Sequence, residues 1–217
     1  DMLALLCGSE GMLGIVTQVT VALLPEPEKK SVILAGFKQV TDAGNAVASI
    51  IGAGIIPAGM EMMDKLAVQA AEQFAHAGYP LDAAAILIIE LDGAEAELSA
   101  VTAQVIDHLN ASGAYQIDQA DDAETQARLW KGRKSAFPAV GRLSPDYICM
   151  DGTIPRHQLA HVLTQIDELS QRFGLAVANV FHAADGNLHP LILFDANVPG
   201  QTDHAMAMGG EILQCCV

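Results

Sequence analysis

Ala85-Ile86-Leu87-Ile88-Ile89-Glu90-Leu91 is a near-continuous apolar run of strand length. A half-buried strand alternates apolar and polar residues; this one does not, so it reads as a central strand. Upstream, Ser31–Phe37 reads as a second apolar strand. Thr41 is placed to cap a helix that shows Ala43, Val47, Ile50 and Ile51 on one face, and Gly54 ends it. Gly59–Met62 reads as a short strand, and Met63, Leu66, Ala67, Ala70 and Phe74 then follow helical spacing. Past the central strand, Leu98, Val101, Val105 and Leu109 mark a further helix, closed by Gly113. This order predicts an α+β fold: a ferredoxin-like antiparallel sheet with helices packed on one face, rather than a doubly wound sheet.

The second half continues with a helix from about Asp121 to Phe137, seamed by Ala127, Trp130 and Phe137 and stopped by Pro138. Tyr147–Thr153 reads as a strand. Pro155 suits the first turn of a helix that carries Leu159, Val162, Leu163, Ile166, Leu169 and Phe173 on one face, with Gly174 closing it. Leu175–His182 and Leu188–Phe194 read as strands, and a last helix runs from near Gln201 to Val217. At the other end, residues 2–6 and 14–24 read as strands around the turn Gly8-Ser9-Glu10-Gly11. Pro25-Glu26-Pro27-Glu28 follows as a stiff linker, which places a domain boundary between residues 27 and 28.

Composition narrows the function. The 217 residues are 51% hydrophobic and 17% charged, which excludes a disordered chain. No apolar run reaches the length of a membrane span, and the first residues show no basic leader. A net charge of −15 repels phosphate backbones, so nucleic acid is not an expected partner. Cys7, Cys149, Cys215 and Cys216 show no CxxC spacing, which fits reduced thiols and a cytoplasmic compartment.

Phe181-His182-Ala183-Ala184-Asp185-Gly186-Asn187-Leu188-His189-Pro190 carries the chemistry. Asp-Gly between apolar runs signals a two-residue hairpin. With Asp185 and Gly186 as the turn, His182 stands directly opposite His189, with Asn187 on the same face. Two imidazoles so placed can share one metal; as the bland alternative they form a polar surface pair. Two ligands are fewer than the three of an ordinary catalytic site, and Asp151, His157 and His161 lie elsewhere in the sequence.

The same stretch resembles the HxGDGNxH signature of FAD-linked oxidases of the vanillyl-alcohol-oxidase superfamily, with Ala184 where that pattern has Gly. Gly8-Ser9-Glu10-Gly11-Met12-Leu13-Gly14-Ile15-Val16-Thr17 resembles the end of their FAD-binding domain. Leu129–Pro138 and Tyr147–Pro155 resemble their C-terminal substrate domain. The joint order of these motifs is most similar to the FAD-linked subunits of glycolate oxidases and spans essentially the whole chain.

The resemblance implies residues 1–27 as the end of an FAD-binding domain and 28–217 as a truncated C-terminal substrate (cap) domain. It implies oxidation of glycolate, or another small D-2-hydroxy acid, to the 2-oxo acid with FAD as acceptor. D-lactate and D-2-hydroxyglutarate are the alternative substrates, and a non-catalytic binding or subunit-interaction module is the alternative of another class. By position, His182 and His189 are implied as ligands of a divalent metal, zinc or manganese. Arg133 is implied to bind the substrate carboxylate, although on periodicity alone it reads as a surface charge. A relative's substrate-binding lysine falls near Cys149, which implies a small substrate. Gly8, Ser9, Gly11, Gly14 and Ile15 are implied to approach FAD with bare backbone. The family's third metal ligand, in a Gly-Glu-His-Gly segment beside the expected base, does not occur in this chain. The piece alone is therefore expected to be inactive and to bind FAD poorly. Expected partners are further subunits of a glycolate oxidase complex, through which it sits peripherally at the inner membrane, and a second copy of the chain.

Overall fold

The computed structural model describes residues 1–23 and 25–217. A short helix α1 (Met2–Leu6) opens the chain, and β1 (Lys29–Phe37) begins the sheet. There follow α2 (Val40–Gly52), β2 (Gly59–Asp64), α3 (Lys65–Ala75), β3 (Ala85–Gly93), α4 (Glu95–Ala111) and β4 (Ala114–Ala120). Next come α5 (Ala123–Lys134), α6 (Ala136–Val140), β5 (Asp146–Cys149), β6 (Gly152–Thr153) and, after a 3-10 turn at Arg156–Gln158, α7 (Leu159–Phe173). The chain ends with β7 (Val177–His182), β8 (Asn187–Leu188), β9 (Pro190–Phe194) and α8 (Gln201–Cys215).

The first four strands lie in the order β4-β1-β3-β2, all antiparallel, which is the ferredoxin-like arrangement expected from sequence. β7 extends the sheet beyond β2, pairing Glu61 with His182, Met62 with Phe181 and Met63 with Val180. β8 and β6 continue from β7, while β9 pairs with both β7 and β5.

One expectation needs correction: helices cover both faces of the sheet. Ile33, Ala35, Leu87 and Ile89 pack with α2, α4, α7 and α8. Val32, Leu34, Ile86 and Ile88, one residue out of phase, pack with α3, α5 and α6. The cause is the composition of β1 and β3, which are apolar on both faces and so need two covers.

Local corrections have local causes. Residues 2–6 are helical because the Asp1 carboxylate accepts from the amides of Leu3 and Ala4. Residues 14–23 join no ladder; Ile15, Val19, Val21 and Leu23 alternate as a strand would but stay exposed. Leu24, the end of that expected strand, lies outside the described residues. The expected helix 121–137 breaks at Ser135 into α5 and α6, and Pro138 sits in the first turn of α6, where its missing N–H costs nothing. Tyr147–Thr153 divides into β5 and β6, Pro155 precedes a 3-10 turn rather than an α-helix, and α8 ends at Cys215. β4, a half-exposed edge strand, has no apolar run to announce it.

Where β2 meets α3, Asp64 is buried and caps the helix, accepting from the Ala67 amide at 3.0 Å. Its other oxygen accepts from the backbone and side-chain nitrogens of Asn179 on β7. Burial outweighs these bonds and pushes its pKa from 3.8 to about 6. A carboxyl raised on folding contributes stability that is lost as pH rises through about 6. Between pH 4 and 7 that loss amounts to at most about 3 kcal/mol. Urea unfolding of wild type and Asp64→Asn should therefore show the stability gap between them narrowing as pH rises from 4 to 7; a constant gap contradicts the assignment.

Candidate active site

Glu61 is a charged residue in the middle of an otherwise apolar strand, Met60–Met63. Its side chain points to the face covered by α5, and it is buried. Helix α5 starts at Asp122, whose carboxylate accepts from the Thr125 amide. Its Trp130 side chain lies over Gly59 of β2, where an added Cβ would be 3.4 Å from the indole. One turn on, Arg133 donates from Nε (2.9 Å) and Nη2 (2.7 Å) to Glu61 Oε2. Arg133 is 8% exposed, so the sequence reading of it as a solvated surface charge does not hold. Removing one partner of such a buried pair costs about 3–5 kcal/mol.

The other Glu61 oxygen, Oε1, stands 2.7 Å from His182 Nδ1, as the direct cross-strand pairing of these residues requires. His182 is the solvent-facing member, with its side chain 48% exposed. His189 stands beside it, the ring centroids 5.4 Å apart and nearly perpendicular. Burial lowers the His189 pKa, and the neighbouring His182 and Arg133 lower it further against the opposing Asp151 carboxylate. Neutral imidazole is the form that ligates metal. Asp151 Oδ1 lies 3.7 Å from His189 Nδ1, so the fold brings together two residues that the sequence reading kept apart.

The hairpin register differs from expectation. His182 pairs with Asn187, not with His189, and Ala183–Gly186 form a four-residue connection. Met60 O accepts from the amides of Ala183 and Ala184, and Gly186 O accepts from Ile154 N. Asn187 donates its amide to Asp185 Oδ1, while its own Oδ1 is buried without a partner. Ala184, which departs from the signature, avoids positive φ and is half-buried against the core, so its Cβ is accommodated.

Gly8, Ser9, Gly11, Gly14 and Ile15 lie outside this cluster, on the turn after α1 and the extended segment beyond it. Gly8 and Gly11 hold φ of +77° with open space beside them. The paired imidazoles and the orphaned Asn187 Oδ1 fit two ligands and an oriented neighbour. Among the described residues no three His, Cys, Asp or Glu side chains are arranged to hold a metal ion. No described helix is long and apolar enough to cross a membrane.

The pattern of FAD linked oxidases, C-terminal domain, matches residues 26–217, and the chain belongs to that family. It is 58% identical over 217 residues to glycolate oxidase subunit GlcD of Escherichia coli (strain K12), covering 100% of this chain and 44% of that protein. Over 214 residues it is 33% identical to the Bacillus subtilis subunit of the same name, covering 99% of this chain and 46% of that one. A mitochondrial D-lactate dehydrogenase [cytochrome] of Arabidopsis thaliana is 29% identical over 210 residues, covering 94% and 36%. The chain thus spans under half the length of these relatives. Among solved structures, an alkyldihydroxyacetonephosphate synthase shares the fold with a TM-score of 0.70 at 15% identity, covering 100% of this chain and 45% of that one.

Gly186 holds the turn at φ +80°, and a Cβ there would lie 2.2 Å from Ile154 O. Gly174, after α7, has φ +65° and open space. Gly174→Ala should cost about 1–2 kcal/mol, the left-handed penalty alone. Gly186→Ala should cost more and shift the His182 and His189 resonances, both measurable by urea unfolding and NMR. Equal costs would contradict the strain assigned to this turn.

Proposed function

We propose that this chain is the substrate-side part of an FAD-dependent dehydrogenase that oxidises glycolate to its 2-oxo acid. The observation that carries the reading is the juxtaposition of His182, His189 and buried Arg133 in a chain of this family. The name shared by two relatives, glycolate oxidase subunit, supports the substrate and further subunits as partners. The D-lactate dehydrogenases among the relatives support D-lactate as the second candidate substrate. Residues 1–27 then belong to the flavin-binding side and 28–217 to the substrate side, working at the cytoplasmic face of the membrane through partner subunits.

His182 and His189 would hold a divalent cation, zinc or manganese, through imidazole nitrogens. When bound, such a cation supplies Lewis-acid chemistry that lowers the pKa of a substrate hydroxyl. Arg133 spends Nε and Nη2 on Glu61, which leaves Nη1 as the nitrogen to meet a carboxylate. Asn187 Oδ1, desolvated and unpartnered, would accept from a substrate hydroxyl. The Gly8–Gly14 turn would present backbone to FAD.

The test is anaerobic flavin bleaching in the protein that carries this chain together with its flavin domain. Glycolate should bleach the flavin faster than D-lactate or D-2-hydroxyglutarate. His182→Ala with His189→Ala should lose both bleaching and bound metal. Arg133→Lys, which keeps the charge beside Glu61 but loses the fork, should raise KM about tenfold or more while changing kcat less. Unaltered metal content in the histidine double variant would overturn the ligand assignment.

A further inference from the structure

The geometry points to Glu61 as a positioning residue that fixes the tautomer of His182 and the pose of Arg133 through one buried carboxylate. The inference rests on the reading of His182 as a ligand only in its second arm.

Each Glu61 oxygen has a separate duty. Oε2 takes both contacts from Arg133, at 2.9 and 2.7 Å, and Oε1 takes the contact with His182 Nδ1, at 2.7 Å. A carboxylate only accepts, so a neutral His182 must carry its proton on Nδ1. That leaves the Nε2 lone pair free, on the ring that is half-exposed beside His189. A carboxylate behind a ligating imidazole fixes the ring and raises its basicity. The same anion neutralises a guanidinium that is almost fully buried, and so sets which of its nitrogens are spent.

The arrangement is overdetermined by the fold. Glu61 and His182 are direct cross-strand partners, and the next carbonyl back, Met60 O, clamps the turn after His182. A glutamine at 61 cannot serve both neighbours. Its single oxygen can meet Arg133 or His182, and its amide then turns donors toward the other.

Two variants separate positioning from folding. Glu61→Gln removes the carboxylate but leaves Arg133 charged. Glu61→Leu with Arg133→Met removes the buried pair together, a replacement that buried ion pairs tolerate. In the first arm, 15N NMR of the chain with labelled histidine, at mildly alkaline pH and without metal, reads the His182 tautomer. Wild type should show the Nδ1–H form, and both variants a mixture. A Nε2–H form in wild type, or an unchanged tautomer in the variants, overturns the inference. In the second arm, zinc titration by calorimetry should show affinity falling about 10- to 100-fold in both variants. Equal zinc affinity in wild type and variants also overturns it. Absence of zinc binding in wild type, with the tautomer result intact, overturns the ligand reading and leaves the positioning of His182 standing.

Discussion

Two strands that are apolar on both faces dictate most of this molecule. β1 buries Ser31–Phe37 and β3 buries Ala85–Ile89, so neither face can be left to water. One face is covered by α2, α4, α7 and α8; the other takes α3, α5 and α6. The second layer is the one with chemical consequences. On that face α5 brings Arg133 onto Glu61, a buried anion that must find partners. Arg133 and His182 are those partners. The site therefore arises from the need to cover the second face of the sheet.

A buried ion pair gains little net stability, because desolvating two charges offsets most of their attraction. Its value here is geometric. A hydrophobic pair at positions 61 and 133 would pack as well but would fix no proton on His182 and orient no guanidinium. Asp64, three residues along β2, shows the contrast. It has hydrogen-bond donors but no cation, and its pKa rises to about 6. Position on one strand thus decides which carboxylate meets a cation and which is held by neutral donors alone.

The sequence made the core order legible because the apolar runs of β1 and β3 and the helical spacing of α2, α4 and α7 are strong periodic signals. It also brought His182 and His189 together, but through the wrong register. The expected pairing was shifted by two residues from the observed one, His182 with Asn187. Strand side chains alternate with a period of two, so an even shift leaves both rings on the same face. The connection length itself was not legible, because the Gly186 and Met60 carbonyls that hold it bond to Ile154, Ala183 and Ala184, contacts that only the fold creates. Residues 2–6 failed for the opposite reason: an isolated apolar pentapeptide has no period long enough to read, and a local Asp1 cap decided it. Glu61 had a signal, a lone carboxylate inside an apolar strand, but its meaning depended on the strand and helix that flank it.

The turn of α5 that leads into Arg133 is itself held by the 77–79 segment. Gly132, its neighbour on α5, lies so close to the 77–79 segment that a Cβ would stand 2.4 Å from the Tyr79 hydroxyl and 2.6 Å from Ala77 Cβ. The Tyr79 hydroxyl donates to Leu129 O, one turn earlier on the same helix, and burial raises its pKa well above the usual phenol range. The hydroxyl therefore stays protonated and keeps its bond to α5. The Glu72 carboxylate accepts from the amides of Gly78 and Tyr79, anchoring that segment to α3. Helix α5 is thus held to the 77–79 segment at Leu129 and Gly132, in the turn that leads into Arg133. A residue that appears in sequence as one basic side chain among Lys131, Arg133 and Lys134 is singled out because it is the buried one, paired with the Glu61 carboxylate.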